Sequence, residues 1–228
     1  MKAFIIGNKD SEISMNAIEN CRKSVNLDIE FVQQTSPDTL EEDNFDGLVW
    51  KYPLSEEQRV DEETGMTLRG YTANDVDKVF ACTISHARIW QKCVVSREDT
   101  MVLEHDAIFT REFEQFDWSG GVLGLNDPRG ATHNSGIYHN LVSLTDGVKD
   151  APFVLPETSL PQGLAGNSAY IIKPYFAYML LEKLRLKGGW PNDSLMCKQF
   201  FPYHLKVVYP YYTTLQGVPS TTTSWLFS

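Results

Sequence analysis

The chain has 228 residues, of which 42% are hydrophobic and 22% are charged, and its formal net charge is −10. This length suits one large domain, and this composition is ordinary for a soluble globular protein. The negative balance argues against a broad nucleic-acid-binding surface and against adhesion to an anionic membrane, because both need clustered Lys and Arg. We therefore predict one domain over residues 1–228 without a nucleic-acid partner.

The cysteines and the apolar runs predict a cytoplasmic protein. The four cysteines are scattered and form no Cys-x-x-Cys pair, which is typical of buried thiols in a reducing compartment. The apolar run at residues 3–6 is too short for a signal peptide. No run approaches the roughly 18 apolar residues of a membrane span.

The first segments predict a β-α-β start. Residues 2–6 form a buried strand, Asp10 or Ser11 caps a helix that ends near Ser24, and residues 28–32 alternate as a second strand. Gly7-Asn8 would then lie at a strand's carboxyl end, where open α/β sheets bind ligands, although a plain turn is the alternative. No G-x-G-x-x-G motif and no P-loop lysine follow, so the standard dinucleotide and P-loop sites are excluded.

The rest of the chain continues to alternate between helices and strands, with a polar, irregular excursion at residues 35–75 and a loop-rich stretch at 126–162. The predicted elements are a helix at 75–96, strands ending at 104 and spanning 121–125 and 168–172, a helix at 174–186, a short helix from Asp193 through Phe200, and a strand at 205–209. This order predicts an α/β fold with a mixed, mostly parallel central sheet flanked by helices.

The chain is organised around an acidic strand end. Three apolar residues, 101–103, precede Glu104-His105-Asp106. On an extended chain the side chains of Glu104 and Asp106 point the same way, and hard divalent ions such as Mg²⁺ or Mn²⁺ prefer carboxylate oxygen. We therefore predict Glu104, His105 and Asp106 as metal ligands; a solvated acidic turn is the alternative.

Five short motifs occur in a characteristic order. They are Ala81-Cys82-Thr83-Ile84-Ser85-His86, Leu103-Glu104-His105-Asp106, Gly166-Asn167-Ser168-Ala169-Tyr170, Pro191-Asn192-Asp193, and Gln216 with Ser220 or Ser224. Together, over roughly residues 78–224, the chain resembles glycosyltransferase family 25, the lipooligosaccharide and collagen galactosyltransferase type. It departs from the family pattern at His105, where the family has an acidic residue, and the first strand lacks the usual Asn-Leu ending.

The resemblance implies a GT-A-like fold and a metal-dependent, inverting transfer of a sugar. A nucleotide-sugar donor, a UDP-hexose by the family's habit, would give its sugar to a hydroxyl acceptor such as a glycan. The implied roles are a metal site (Mn²⁺ or Mg²⁺) at Asp106, His105 and Glu104, a catalytic base at Asp193, and donor contacts from Gly7, Asn8, Ser85, His86, Glu104 and Gly166. His204 is a further candidate ligand for the metal.

Several alternatives stay open. The protein could be a catalytically degenerate module that binds a sugar nucleotide or glycan, a hydrolase of the donor, or a transferase that modifies a nucleic-acid base. At single positions, Asp193 could merely cap its helix, His86 could be a hydrogen-bonded structural residue, and His204 could be an ordinary surface residue.

Overall fold

A computed structural model describes residues 1–71, 75–130 and 134–218. The helices are α1 Glu12–Lys23, α2 Leu40–Asp43, α3 Val76–Ser96, α4 Ser135–Val142, α5 Pro174–Lys187 and α6 Asn192–Leu195, with a 3₁₀ turn at Pro37–Thr39. The strands are β1 Lys2–Gly7, β2 Ile29–Gln33, β3 Gln58–Val60, β4 Thr67–Arg69, β5 Thr100–Glu104, β6 Ala107–Phe109, β7 Val122–Gly124, β8 Gly147–Asp150, β9 Ala169–Ile172, β10 Leu205–Tyr209 and β11 Thr213–Leu215.

A seven-stranded mixed sheet forms the centre of the fold, in the order β2-β1-β5-β9-β7-β10-β8. Pairing is parallel for β1 with β2 and β5 and for β7 with β10, and antiparallel where β9 and β8 join. Five strands therefore run in one direction, and β9 and β8 run against them. The predicted α/β class, with a mixed and mostly parallel sheet flanked by helices, is confirmed.

Apolar side chains alternate between the two faces of the sheet, because successive strand residues point to opposite sides. On one face, Val102 belongs to a cluster with Trp90 of α3 and Phe176 of α5. On the other, Met101 belongs to a cluster with Ile18 of α1. Helices thus cover both faces of the sheet, so the ends of the strands are the part of the sheet where a site can form.

The carboxyl ends of three adjacent parallel strands, β2, β1 and β5, lie side by side along one side of this sheet, where the strands end. Gly7 is paired with Gln33 at the ends of β1 and β2, and Ile6 is paired with Glu104 at the end of β5. The antiparallel strand β9 begins at the same edge, where Ala169 is paired with Leu103. The edge therefore gathers the ends of β1, β2 and β5 with the segment that leads into β9.

Two segments carry more structure than their sequence indicates. The excursion at 35–75 contains α2 and the β3–β4 hairpin, and Met66 and Leu68 are buried in the main core cluster. The loop-rich stretch at 126–162 contains α4 and β8. Conversely, the short helix predicted to reach Phe200 ends at Leu195. In the described parts of the chain, no helix has both the length and the apolar character needed to cross a membrane.

Candidate functional site

The acidic strand end is a tight turn. Glu104 closes β5, His105 and Asp106 form the turn, and β6 starts at Ala107. The expectation that Glu104 and Asp106 lie side by side on an extended strand is wrong, because the chain turns directly after Glu104. All three predicted metal ligands nevertheless line the same cavity.

That cavity lies between the ends of β1 and β5, the segment after β2 and the first half of α3. Its wall consists of Ile6, Gln34, Thr35, Ser36, Pro37, Lys78, Ala81, Cys82, Ser85, His86, Glu104, His105 and Asp106. Of the predicted donor contacts, Ser85, His86 and Glu104 are thus brought together. Residues 34–37, Lys78 and Cys82 are wall residues that sequence reasoning missed.

His86 is a buried bridge between the core and the acidic turn. Its Nδ1 lies 2.8 Å from the hydroxyl of Tyr170, which accepts a hydrogen bond from Trp90 Nε1 at 2.9 Å. Its Nε2 lies 3.1 Å from Oε1 of Glu104. The Nε2–H of His86 therefore donates to the carboxylate of Glu104, and its Nδ1 shares a hydrogen bond with the hydroxyl of Tyr170. The family motifs at 81–86, 103–106 and 166–170 are joined by this chain of hydrogen bonds.

The pKa values of the Glu104 and Asp106 carboxyl groups are shifted in opposite directions. Burial acts to raise the pKa of Glu104, but the hydrogen bond and charge of His86, with the charge of His105, outweigh it and lower that pKa. Burial, followed by the charge of Glu104, raises the pKa of Asp106 to about 7. Glu104 is therefore ionised at neutral pH, whereas Asp106 gains or loses its proton near pH 7.

Asp106 also carries the clearest sign of a missing partner. Its Oδ1 is buried and has no hydrogen-bond partner among the residues that the structure describes. A buried, unpaired carboxylate oxygen is costly, and a bound cation offsets that cost. The carboxylate oxygens of Asp106 and Glu104 are the ligands that Mn²⁺ and Mg²⁺ prefer, so these residues fit such an ion.

Gln216 fastens the turn to the rest of the protein. Its backbone N–H donates to the carbonyl of Asp106 at 2.8 Å, and its Nε2 donates to the carbonyls of Ala17 at 2.8 Å and Ala107 at 3.0 Å. The late glutamine of the family pattern is thus a positioning residue for the acidic turn. Ser220 and Ser224, named with it, lie outside the described residues.

Ser85 positions the cavity wall that follows β2. Its Oγ accepts a hydrogen bond from the N–H of Thr35 at 2.8 Å and donates to the carbonyl of Ala81 at 2.8 Å. Asp43 accepts from Thr35 Oγ1 at 2.8 Å and from Arg88 at 3.1 Å. Ser85 therefore has a structural role, and its contact with a ligand stays a prediction.

The three remaining donor candidates, Gly7, Asn8 and Gly166, are not part of the cavity wall. A Cβ on Gly7 would lie 2.4 Å from Cδ1 of Ile18, so the close approach of α1 requires this glycine. Asn8 Oδ1 accepts from the N–H of Asp10 at 3.0 Å. Gly166 has a φ of +86°, and the next two residues carry buried side-chain polar atoms without hydrogen-bond partners in the described chain.

Asp193 does not cap its helix. The residue at the N-cap is Pro191, and Asp193 lies in the first turn of α6, where its Oδ1 accepts from the N–H of Ser194 at 2.7 Å. Its side chain is exposed, yet desolvation by the surrounding protein raises its pKa, and the negative charge of Glu104 adds to that rise. Glu104 and Asp193 also both act on the thiol of Cys82, which places Asp193 in the electrostatic field of the acidic turn.

His204 is not a ligand of this site. It precedes β10 and accepts hydrogen bonds from the N–H groups of Gly121 and Val122, at the start of β7 and therefore at the opposite edge of the sheet. Its ring stacks on Phe176 with centroids 5.4 Å apart. The suggestion that His204 completes the metal site is wrong.

Comparison with known proteins bears on this site. The model of the family described as glycosyltransferase family 25 (LPS biosynthesis protein) matches residues 1–118, so the match includes the first strand and helix and ends before the three later motifs. No match is found among curated proteins. A solved structure, mouse xyloside xylosyltransferase 1 in its apo form, is 9% identical, with a TM-score of 0.45 over 89% of this chain and 83% of that one. Since the family match covers 118 of 228 residues, more than half of the chain, this protein belongs to glycosyltransferase family 25.

Proposed function

We propose that this protein transfers a hexose from a UDP-sugar to a hydroxyl of a glycan, with inversion at the anomeric carbon and with Mn²⁺ or Mg²⁺ as cofactor. The observation that carries the proposal is the buried, unpartnered carboxylate oxygen of Asp106 in the cavity at the strand ends. We infer that this oxygen marks where a cation balances the charge of the donor's diphosphate. UDP and the hexose themselves come from the resemblance to the family.

In this proposal, Asp106 and Glu104 hold the metal ion, and His105 assists them from the same cavity wall. When bound, the ion would supply Lewis-acid stabilisation of the charge that develops on the departing diphosphate. His86 keeps Glu104 ionised and fixed in orientation through its hydrogen bond. The proton of Asp106 leaves when a cation binds, because a nearby positive charge favours the ionised form.

Asp193 is the proposed general base. As the acceptor hydroxyl attacks the anomeric carbon, the bond to the diphosphate breaks on the opposite face, and the hydroxyl proton passes to the carboxylate of Asp193. A base is most effective when its pKa approaches the working pH, and the pKa of Asp193 is raised toward it. Asp193 is not the N-cap of α6, and its side-chain hydrogen bonds go to the neighbouring Ser194 through Oδ1.

The donor would lie along the wall formed by residues 34–37 and the start of α3. Lys78 lines this wall and can pair with a diphosphate oxygen, while Ser85 keeps Thr35 in place. Gly7, Asn8 and Gly166 are not part of the wall, and we propose their contacts with the donor from the resemblance to the family. We also propose that the chain acts as one domain in the reducing cytoplasm, which agrees with the four free cysteines.

A thermal-shift screen of nucleotide sugars with and without Mn²⁺ tests the binding half of the proposal. A ligand that binds only the folded state raises the melting temperature. We expect a Mn²⁺-dependent rise with one UDP-sugar, lost in Asp106→Asn and kept in Asp28→Asn, a matched loss of one exposed carboxylate. A rise that persists in Asp106→Asn would refute the metal assignment.

A transfer assay with the identified donor tests the chemical half. Asp193→Asn should keep the donor-dependent thermal shift and lose transfer, and unchanged turnover would refute the base assignment. Binding without turnover on any acceptor would instead support the degenerate module. Release of free sugar without an acceptor would identify a donor hydrolase.

A further inference from the structure

We propose that Cys82, His86 and Glu104 form a second, softer metal site that binds Zn²⁺. Because Glu104 belongs to both sites, zinc bound there would compete with the Mn²⁺ or Mg²⁺ site at Asp106. Zinc binding itself is independent of the transferase activity, whereas the competition rests on the proposed function.

The backbone places the three side chains together. Cys82 and His86 are four residues apart on α3 and therefore lie on one face of the helix, one turn apart. Glu104 reaches the same point from the end of β5. One ligand atom from each residue lies within 4.8 Å of the other two. Ligand bonds to zinc are roughly 2.0–2.3 Å long, so side-chain adjustments on the order of 1 Å bring all three into coordination.

The ligand types select zinc over the harder ions. A sulfur ligand and an imidazole suit Zn²⁺, whereas Mn²⁺ and Mg²⁺ favour the oxygen ligands of Asp106 and Glu104. Three protein ligands with a fourth position open to solvent is a known arrangement for accessible zinc sites. Here all three residues line the cavity, so the fourth position faces its interior.

The surroundings of His86 also suit a metal ligand. A ligating histidine usually donates its other ring N–H to an oxygen, which fixes the ring. The Tyr170 hydroxyl lies 2.8 Å from Nδ1 of His86 and is itself held by Trp90. On zinc binding, the proton of Nε2 leaves that atom while the ring keeps one proton on Nδ1, and the thiol of Cys82 loses its proton to solvent as the zinc–sulfur bond forms.

The test measures metal binding without donor or acceptor. Equilibrium dialysis of the full chain with Zn²⁺ should give one ion per chain, and Cys82→Ser should weaken binding at least 10-fold. Asp106→Asn should keep it, which separates this site from the hard-metal site. Cys21→Ser is the control, because it removes a buried thiol of α1 that is remote from the three ligands. Equal zinc affinity in Cys82→Ser would overturn the proposal.

Two further readouts guard against variants that fail to fold. The Co²⁺-substituted wild-type protein should show a thiolate-to-metal charge-transfer absorption, and its absence would also overturn the site. Tyr170→Phe keeps all three ligands and should weaken zinc binding roughly 10- to 100-fold, as loss of an outer-shell partner does. The melting temperature of each metal-free variant identifies those that are folded.

Competition is then measured separately. Saturating Zn²⁺ should abolish the Mn²⁺-dependent thermal shift produced by the UDP-sugar, and Cys82→Ser should restore it. If zinc binds as described and no donor-dependent shift exists with any nucleotide sugar, the proposed function fails while the zinc site stands. If the donor-dependent shift exists and zinc does not compete, the sharing of Glu104 is refuted.

Discussion

Replacement of Asp106 by Asn should stabilise the metal-free protein at alkaline pH while it destroys metal binding. The pKa of Asp106 is raised in the folded protein to about 7, from 3.8 in the absence of the fold. Below pH 3.8 the carboxyl is neutral in both states and costs nothing. As the pH rises from there through 7, the unfolded chain ionises first, so this residue progressively removes stability. Asn stays neutral and removes none.

The size of the effect follows from that difference in pKa. Each pKa unit corresponds to about 1.4 kcal/mol, so the rise from 3.8 to about 7 sets an upper bound of about 4 kcal/mol. The side chain is only partly buried, and solvent screening reduces this to about 2 kcal/mol. For a chain of this size, about 2 kcal/mol corresponds to a melting temperature that is higher by about 4–8 °C.

Thermal unfolding of wild type and Asp106→Asn in chelator, measured from pH 5 to pH 8.5, checks this. The difference in melting temperature should be smallest at pH 5, should grow up to about pH 7, and should stay nearly constant above that pH. Asp28→Asn, which removes an exposed carboxylate, should not show the widening difference. A constant difference at all pH values would show that Asp106 is not a buried, uncompensated carboxylate, and the argument for a cation there would fail with it.

Three further substitutions probe how the site is held. Ser85→Ala leaves the buried N–H of Thr35 unpaired, so we expect a loss of about 1–3 kcal/mol in chemical denaturation together with a weaker donor-dependent thermal shift. Gln216→Ala removes side-chain hydrogen bonds to the acidic turn and should cost about 1–2 kcal/mol, with faster amide hydrogen exchange at 105–107. Gly121→Ala places a Cβ 2.3 Å from Phe176 Cγ and should cost about 1–3 kcal/mol of stability without change in donor affinity.

Each of these substitutions has its own contradicting result. Full donor affinity in Ser85→Ala would mean that residues 34–37 keep their position without the hydrogen bond from Thr35 to Ser85. Unchanged amide hydrogen exchange in Gln216→Ala would mean that the sheet alone keeps the turn ordered. A loss of donor affinity in Gly121→Ala would contradict its position at the far edge.

Local patterns in the sequence were sufficient for the framework of the fold. The apolar run of β5 and the helical periodicity of α3 are visible directly in the sequence, and Ser11 caps α1 as one of two predicted candidates. Several elements lack such a pattern, among them β8 and α4. The strand β8 at the edge of the sheet has no buried residue, and α4 is short and has no side-chain hydrogen bond at its cap.

The composition of the site was predictable only in part. The position of Glu104 and Asp106 at a strand end follows from the apolar run before them. The hydrogen bond between His86 and Tyr170 spans 84 residues, and that from Thr35 to Ser85 spans 50. Such contacts depend on how distant segments pack, which local periodicity does not contain. The one local signal that could have added Cys82 was its spacing of four from His86.

The hydrogen bonds that Gln216 donates to the acidic turn determine when the turn can be completed during synthesis. Residues 1–118, which the family model matches, contain the acidic turn but neither β9, which pairs with β5, nor Gln216. After residue 118, roughly a hundred further residues must be synthesised before Gln216 can donate its hydrogen bonds to the carbonyls of the turn. The nascent chain therefore carries an acidic turn without these hydrogen bonds until Gln216 emerges, and the segment that the family model matches lacks a residue that holds the turn in place.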